Sequence, residues 1–494
     1  MSAVDVITAA EAPLPSGRWR IIRTVAVKEW LDIYRDARFR WLAALTLLLM
    51  ACAIVFGVQQ VQRIDRDRAA AAQEDRQVWT SQSAKDPHAA AHFGQYAFKP
   101  QSPLALADPG VNAYVGTAVW LEAHKQNEVQ FRPARDSGVS ARLGNLSLAF
   151  VLQTVMPLLV ILLGFAAFSG ERERGTLRQL LSLGARPLDL LAGKALAVTG
   201  VLAILLLPVL IGVVIACLLL VDDTQLSLSD QLARLGWLTL GYALYLGGIA
   251  ALALAVSAFS KSSRAALVGL LAFWLINCFL VPRLMTDLVR TALPLPTALE
   301  FREAIAEDKK KDFGHDETHP AFIAFREQVL RDYGVNRVED LPVNFRGLSL
   351  RKSDEIGYGI YDKHFGGLQD DYARQDRWRA VPGFLLPFLA IQPYSMGLAG
   401  SDTRGHYHFA TTAEQHRRLV QTMISEDLIR NGRYGDSSYV AGPELWERIP
   451  AFSYRSPEAG WVLSAQARNL FTLAIWCAAA SLLAVFAVRR LRPV

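Results

Sequence analysis

The chain is 494 residues long and 52% hydrophobic, with only 20% charged residues and a formal net charge of +6. Its apolar residues are bunched into long runs with the charges between them, which excludes an ordinary soluble domain and points to a chain solvated partly by lipid. No basic-aromatic module accompanies the surplus of Lys and Arg, so nucleic-acid binding is excluded and the basic residues read as flanks of membrane spans.

The first 16 residues lack a basic start and an apolar core, so they are not a cleavable signal peptide. From Trp19 to Arg40 the apolar residues Ile21, Ile22, Val25, Val27, Trp30, Ile33 and Tyr34 alternate with charges, the mixture of a helix lying in the membrane plane. A helix needs about twenty apolar residues to cross a ~30 Å hydrocarbon core. Five runs qualify: Trp41 to Val61, Leu146 to Phe168, Ala195 to Val221, Leu235 to Phe259, and Leu470 to Val488. The first of these reads as an uncleaved signal anchor. A sixth, Ala265 to Val281, is shorter and is expected to stop at Pro282-Arg283.

Orientation follows from Lys and Arg in the short flanks. Arg35, Arg38 and Arg40 precede the first run, and Arg172, Arg174, Arg178 and Arg186 link the second to the third. Lys261 and Arg264 link the fourth to the fifth, and Arg489, Arg490 and Arg492 follow the last. The loop after the third run instead carries Asp222, Asp223 and Asp230. All flanks agree on six spans with both termini in the cytoplasm. The expected organisation is a cytoplasmic tail and elbow helix (1–40), span 1 (41–61), a first extracytoplasmic segment (62–145), and spans 2–5 (146–281) with a surface helix at 170–187. An extracytoplasmic domain (282–467) and span 6 with a basic tail (468–494) complete it.

The extracytoplasmic domain reads as mainly helical, with long stretches at Thr297 to Lys311, Pro320 to Tyr333, Glu355 to Trp378 and Thr412 to Asn431 that lack strand alternation. The Ala-, Gln- and Asp-rich first segment leaves two readings open, partly helical and partly mobile. Val381 to Leu398 is apolar but holds three prolines. A span there would place the terminal arginines outside, so it reads as an interfacial or re-entrant helix. The fold class is an all-α membrane protein.

The most informative stretch is GERERGTLRQLLSLGARPLDLLAGK, Gly170 to Lys194. A charged cluster after a span is commonly a solvated cap, but this one runs into Gly175-Thr176-Leu177, an amphipathic turn to Leu183, and a Gly-Lys pair opening the next span. The string resembles the coupling-helix region of ABC-2 type permeases at Glu171, Arg172, Glu173, Gly175, Thr176, Leu177, Leu180, Leu181, Ser182, Arg186, Gly193 and Lys194. It departs in having Leu183-Gly184-Ala185 where the family often has Pro. The elbow, with Lys28-Glu29 and Arg35-Asp36, is similar to the connecting helix of the same family. The segments Tyr361 to Phe365, Gln392-Pro393, Leu398 to Asp402 and Glu414 to Arg417 resemble an uncharacterised domain inserted before the last span in one subgroup. Permeases for multicopper-enzyme and nitrous-oxide-reductase maturation are among that subgroup's relatives.

The resemblance implies a permease subunit of an ATP-driven transporter in the bacterial inner membrane, with export the expected direction and no catalytic site of its own. Two copies of a separate ABC ATPase carrying ATP and Mg2+ would dock on Glu171, Arg172, Glu173, Arg174, Gly175, Thr176, Leu177 and Arg186, and on the elbow at Lys28, Glu29, Arg35 and Asp36. A second permease, identical or paralogous, membrane lipid and a periplasmic partner complete the implied set. A rival reading is a mechanical maturation complex, connected with metal enzymes, in which nothing crosses the membrane.

The residues themselves bound these expectations. No GxxxxGK[ST] loop occurs, so P-loop ATP binding is not expected here, and no cofactor is expected in this chain. The span interiors lack acidic residues, against an ion-driven relay. The polar groups there, Gln153, Tyr242, Tyr245 and Asn277, either bond neighbouring helices or line a path. Cys52, Cys217, Cys278 and Cys477 all fall in apolar runs, against a disulfide framework. The nine histidines all lie in the outer segments. His315 and His319 are four apart and His406 and His408 two apart, but neither pair matches HExxH. They read as surface groups, with no metal site expected.

Overall fold

A computed structural model describes residues 16–136, 146–220, 226–435 and 438–491. The loop acids Asp222 and Asp223 and the tail residue Arg492 lie outside the described residues. Among the described residues the fold is all-α with one small sheet, and six helices are long and apolar enough to cross a membrane.

Helix α1 (Ser16–Arg35) ends at a one-residue break, where the Asp36 carboxylate accepts from the Arg38 N–H and caps α2 (Ala37–Thr80). At about 1.5 Å per residue, the 44 residues of α2 reach well beyond a hydrocarbon core. Its far end carries Trp79 into the outer domain. After α3 (Pro87–Phe93) come the antiparallel strands β1 (Gln95–Phe98), β2 (Ala118–Glu122) and β3 (Lys125–Gln126), with Gln95 opposite Leu121 and Leu121 opposite Gln126. This sheet is not anticipated by either reading of the first segment, because strands of four, five and two residues leave almost no alternation to detect.

The second span is α4 (Leu148–Glu173), followed by the short α5 (Thr176–Ser182), then α6 (Pro187–Leu220), α7 (Leu228–Phe259) and α8 (Ser263–Ala292). Helix α8 corrects the expected stop at Pro282, since it continues for ten residues beyond. A π turn at Ile276–Leu280 precedes the proline and loosens the backbone where its ring would otherwise clash. The same device occurs in α4, where a π turn at Val151–Val155 precedes Pro157.

The outer helices are α9 (Ala298–Lys309), α10 (Pro320–Tyr333), α11 (Phe345–Arg379), α12 (Phe388–Ala399), α13 (Thr403–Asn431) and α14 (Pro443–Arg448), before the sixth span α15 (Ala459–Arg489). The apolar stretch 381–398 supplies α12, which at 12 residues is too short to span. Its Ile391, Tyr394 and Leu398 are fully buried in the core of the bundle. The Tyr394 ring packs against Gly241 of α7 so closely that no side chain fits there, and its hydroxyl donates to the Trp237 carbonyl at 2.7 Å.

The two long inter-span segments share one core. Trp79, Ala90, Ala91 and Ala123 from the first pack on Val420, Ile424, Leu445 and Trp446 from the second. Ala97, Val119 and Leu121 of the sheet pack on Phe409, Ala413 and Tyr454. They form a single body at one end of the bundle, with α1, α5 and the last turn of α15 at the other.

Candidate functional site

The elbow α1 crosses the start of α6 at Gly193. A Cβ there would lie 2.7 Å from the Val25 side chain and 2.9 Å from the Ile22 carbonyl, so this close approach requires glycine. The crossing brings Lys28 and Glu29 over the next residue, Lys194. The Lys194 ammonium, 1% exposed, donates to Glu29 at 2.6 Å and to Glu171 of α4 at 2.8 Å. Lys28 closes the ring on Glu171 at 3.2 Å and on Glu29 at 2.9 Å. Lys28 is half exposed at the rim and also meets Asp32 at 3.2 Å, so the charges of three helices are paired around a buried Lys194–Glu171 contact, the arrangement in which desolvated charges are tolerated.

Burial opposes the charge on Glu29, but Lys194 and Lys28 outweigh it and hold its carboxyl below the usual range. Burial likewise works against Lys28, yet Glu29, Glu171 and Asp32 raise its ammonium above the usual lysine range. A second bridge, Arg18 to Asp189 at 2.9 Å, pins the start of α1 to the first turn of α6.

The resembling string divides into an inner and an outer set. Glu171 is 3% exposed and Leu177 is buried, with Phe168, Leu190 and Val488 around the latter. Arg172 donates to the backbone carbonyls of Ala258 (2.9 Å) and Ser260, tying α4 to the end of α7. Glu173 accepts from the Ser263 N–H at 2.9 Å and its hydroxyl at 2.7 Å, steadying the first turn of α8. Gly175 has a left-handed φ of 75° and makes the turn into α5. Thr176 donates its hydroxyl to the Glu171 carbonyl at 3.2 Å.

The side chains left facing outward are Arg174, Arg178, Gln179, Ser182, Leu183 and Arg186. Leu183, 84% exposed, is the most prominent of them. Its exposure is not visible in the sequence, where it reads as part of the amphipathic turn. Of the elbow residues, Glu29 reaches the buried Lys194, Lys28 joins the cluster from its exposed rim, Asp36 caps α2, and Arg35 is exposed.

The four polar span residues come together differently. Gln153 donates to the Tyr242 hydroxyl at 3.0 Å, which lies 2.9 Å from the Ser395 hydroxyl. Tyr245 donates at 2.9 Å to the Gln153 carbonyl, the group that Pro157 leaves without its helical N–H donor. Trp274 does the same for Thr154, and Asn277 accepts from the Phe388 N–H. These side chains are buried and satisfied, and the contacts are those of helix-to-helix bonding around the π turns.

No curated protein matches the chain. A family model described as a domain of unknown function, DUF3526, matches residues 298–455, most of the outer domain's second segment. A model described as ABC-2 family transporter protein matches residues 23–302, more than half of the chain, including the elbow and the first five spans. This chain is therefore a transmembrane permease component belonging to the ABC-2 family of transporter proteins.

Proposed function

We propose that the chain is one half of the membrane domain of an ATP-driven transporter, and that its separate ATPase docks on the outward face of α5. The observation that carries this reading is the Glu29–Lys194–Glu171–Lys28 cluster, built around the buried Lys194 and Glu171. It locks the elbow, the α4–α5 linker and the start of α6 into one unit. A force applied at Leu183, Arg178 or Arg186 would reach three helices together rather than bend a loop. Leu183 would enter an apolar pocket of the ATPase while the arginines meet acidic groups around it.

With the basic ends of the bundle on the cytoplasmic side, both termini are cytoplasmic and the outer domain faces the periplasm. The second permease half would meet α2 or α8, whose apolar windows are the least buried of the six at 22% each. Rigid-body movement of the halves would then move the cargo outward. Family membership does not favour the cargo-free maturation reading.

The test is purification of the full-length chain from its native membrane in mild detergent, with identification of co-purifying proteins and an ATPase assay. A P-loop ATPase is expected with the wild type and is expected to be lost with Leu183→Asp/Arg178→Glu, two exposed positions, with the variant's melting curve expected to match the wild type's. A chain that purifies without any nucleotide-binding partner, or a double variant that retains it fully, overturns the reading.

A further inference from the structure

The outer domain holds a grouping that the docking reading does not use. His88 and His92 lie four apart on α3, His124 sits in the β2–β3 turn, and His315 comes from the α9–α10 connection in the other inter-span segment. One ring nitrogen from each lies within 4.8 Å of all the others. The His88 and His92 Nε2 atoms are 3.2 Å apart, and the ring of His124 is about equally close to those of His88, His92 and His315, with centroids 5.1–5.3 Å apart.

His124 is held for a purpose beyond packing. Its backbone is left-handed, with φ 59°, an uncommon state for a residue with a side chain. Its Nδ1 lies 2.8 Å from the buried Asp354 carboxylate, which fixes the ring with Nδ1–H donating and leaves the Nε2 lone pair free. That Nε2 is buried without a hydrogen-bond partner among the described residues. A carboxylate behind a histidine whose other nitrogen faces its fellows is the arrangement that orients metal ligands.

We propose that His88, His92, His124 and His315 bind a borderline divalent transition ion, of the Zn2+ type, that clamps the two inter-span segments together. Imidazole donors suit such ions and not Ca2+ or Mg2+, which take oxygen. Ligand nitrogens at about 2.0–2.1 Å in a tetrahedron stand about 3.3 Å from one another, which the His88–His92 pair already meets. The remaining separations close with movements of about an ångström by side chains on α3 and on an exposed connection. Without an ion one of His88 and His92 donates its Nε2–H to the other; the ion would replace that proton and be shared by all four nitrogens. Because His315 belongs to the second segment and the other three ligands to the first, ion occupancy would set how tightly the two are joined.

The experiment uses the full-length chain in detergent, stripped with EDTA and titrated with Zn2+ by calorimetry and with Co2+ by visible absorption. One equivalent is expected, with the intense absorption of tetrahedral Co2+. His124→Ala and His315→Ala should each weaken binding by about 100-fold, and Asp354→Asn by about 10- to 100-fold. His319→Ala should leave it unchanged, since His319 caps α10 through the Ala321 N–H. His315 is exposed, so matching melting curves of the stripped wild type and His315→Ala would show that its loss of binding is not loss of fold. Absence of stoichiometric binding, or binding that survives His124→Ala and His315→Ala, overturns the proposal.

Discussion

Two clusters of ionisable side chains sit at opposite ends of this bundle, and they are built on opposite rules. Around Lys194, carboxylates and ammonium groups from three helices meet and pair with one another, with Asp32 joining at the exposed rim through Lys28. Around His124, four bases meet with one carboxylate behind them, and a single N–H···N contact between His88 and His92 is all they share. The first arrangement pairs each of its charges, leaving only Glu171 Oε2 without a hydrogen-bond partner among the described residues, and acts as a fastener. The second is complete only with a cation, so it acts as a receptor. Burial alone does not separate a structural cluster from a binding one; the balance of donors and acceptors does.

The comparison is broken most severely by making the fastener incomplete. Lys194→Met removes the buried one of the two cations that touch both Glu29 and Glu171, leaving the half-exposed Lys28 alone to hold those carboxylates, which is expected to cost about 3 kcal/mol or more. Thermal unfolding of the detergent-solubilised variant would read this. Adding Glu171→Leu should restore part of the loss, because an apolar pair needs no partner. If Lys194→Met melts with the wild type, the cluster does not fasten anything.

A smaller loss is expected from the crossing that assembles the cluster. Gly193→Ala places a methyl group 2.7 Å from Val25 Cβ and 2.9 Å from the Ile22 carbonyl, forcing α1 outward at a cost of about 1–3 kcal/mol. Gly236→Ala on α7 meets nothing within 4 Å and serves as the control. Equal melting of the two variants would show that the elbow gives way freely.

How much of this was legible in the sequence depends on the range of the interactions. The six spans and the outer helices follow from runs and periodicity that each segment carries within itself; α9 and α10 lie where their stretches indicate, whereas α11 and α13 end as expected but begin ten and nine residues earlier, at Phe345 and Thr403. The string from Glu171 to Lys194 was readable as a unit, but not its division. That Glu171 turns inward to Lys194 while Leu183 points out depends on where α1 crosses, some 140 residues upstream. The continuation of α8 through Pro282 was hidden because a π turn has no sequence signature of its own. The histidines show the limit most clearly. His88 and His92 had helical spacing in plain view, yet the pairs singled out were His315/His319 and His406/His408. His319 caps a helix, and His408 lies 3.0 Å from the Tyr454 hydroxyl. His124 and His315 join His88 only through the shared tertiary fold.

The smallest effect sharpens the contrast between the two ends through pH. Glu29 and Lys28 are shifted away from neutrality in opposite directions, so the fastener should be indifferent between pH 7 and 5. The outer domain should not be, even apart from the proposed ion site. His416 on α13 is held down to about 4, first by burial and then by the nearby Arg76. A histidine whose folded pKa lies below its unfolded value contributes stability above the unfolded value, near 6.5, and loses it as pH falls towards the folded one. For His416 the loss between pH 7 and 6 is about 0.7 kcal/mol, growing until pH approaches 4. Melting curves of EDTA-treated wild type and His416→Gln over this range isolate its share, because the other outer histidines are common to both. The variant should show the shallower decline. Parallel curves would mean that His416 is already as exposed in the folded chain as in the unfolded one, and that the outer core around Phe452 is open to water.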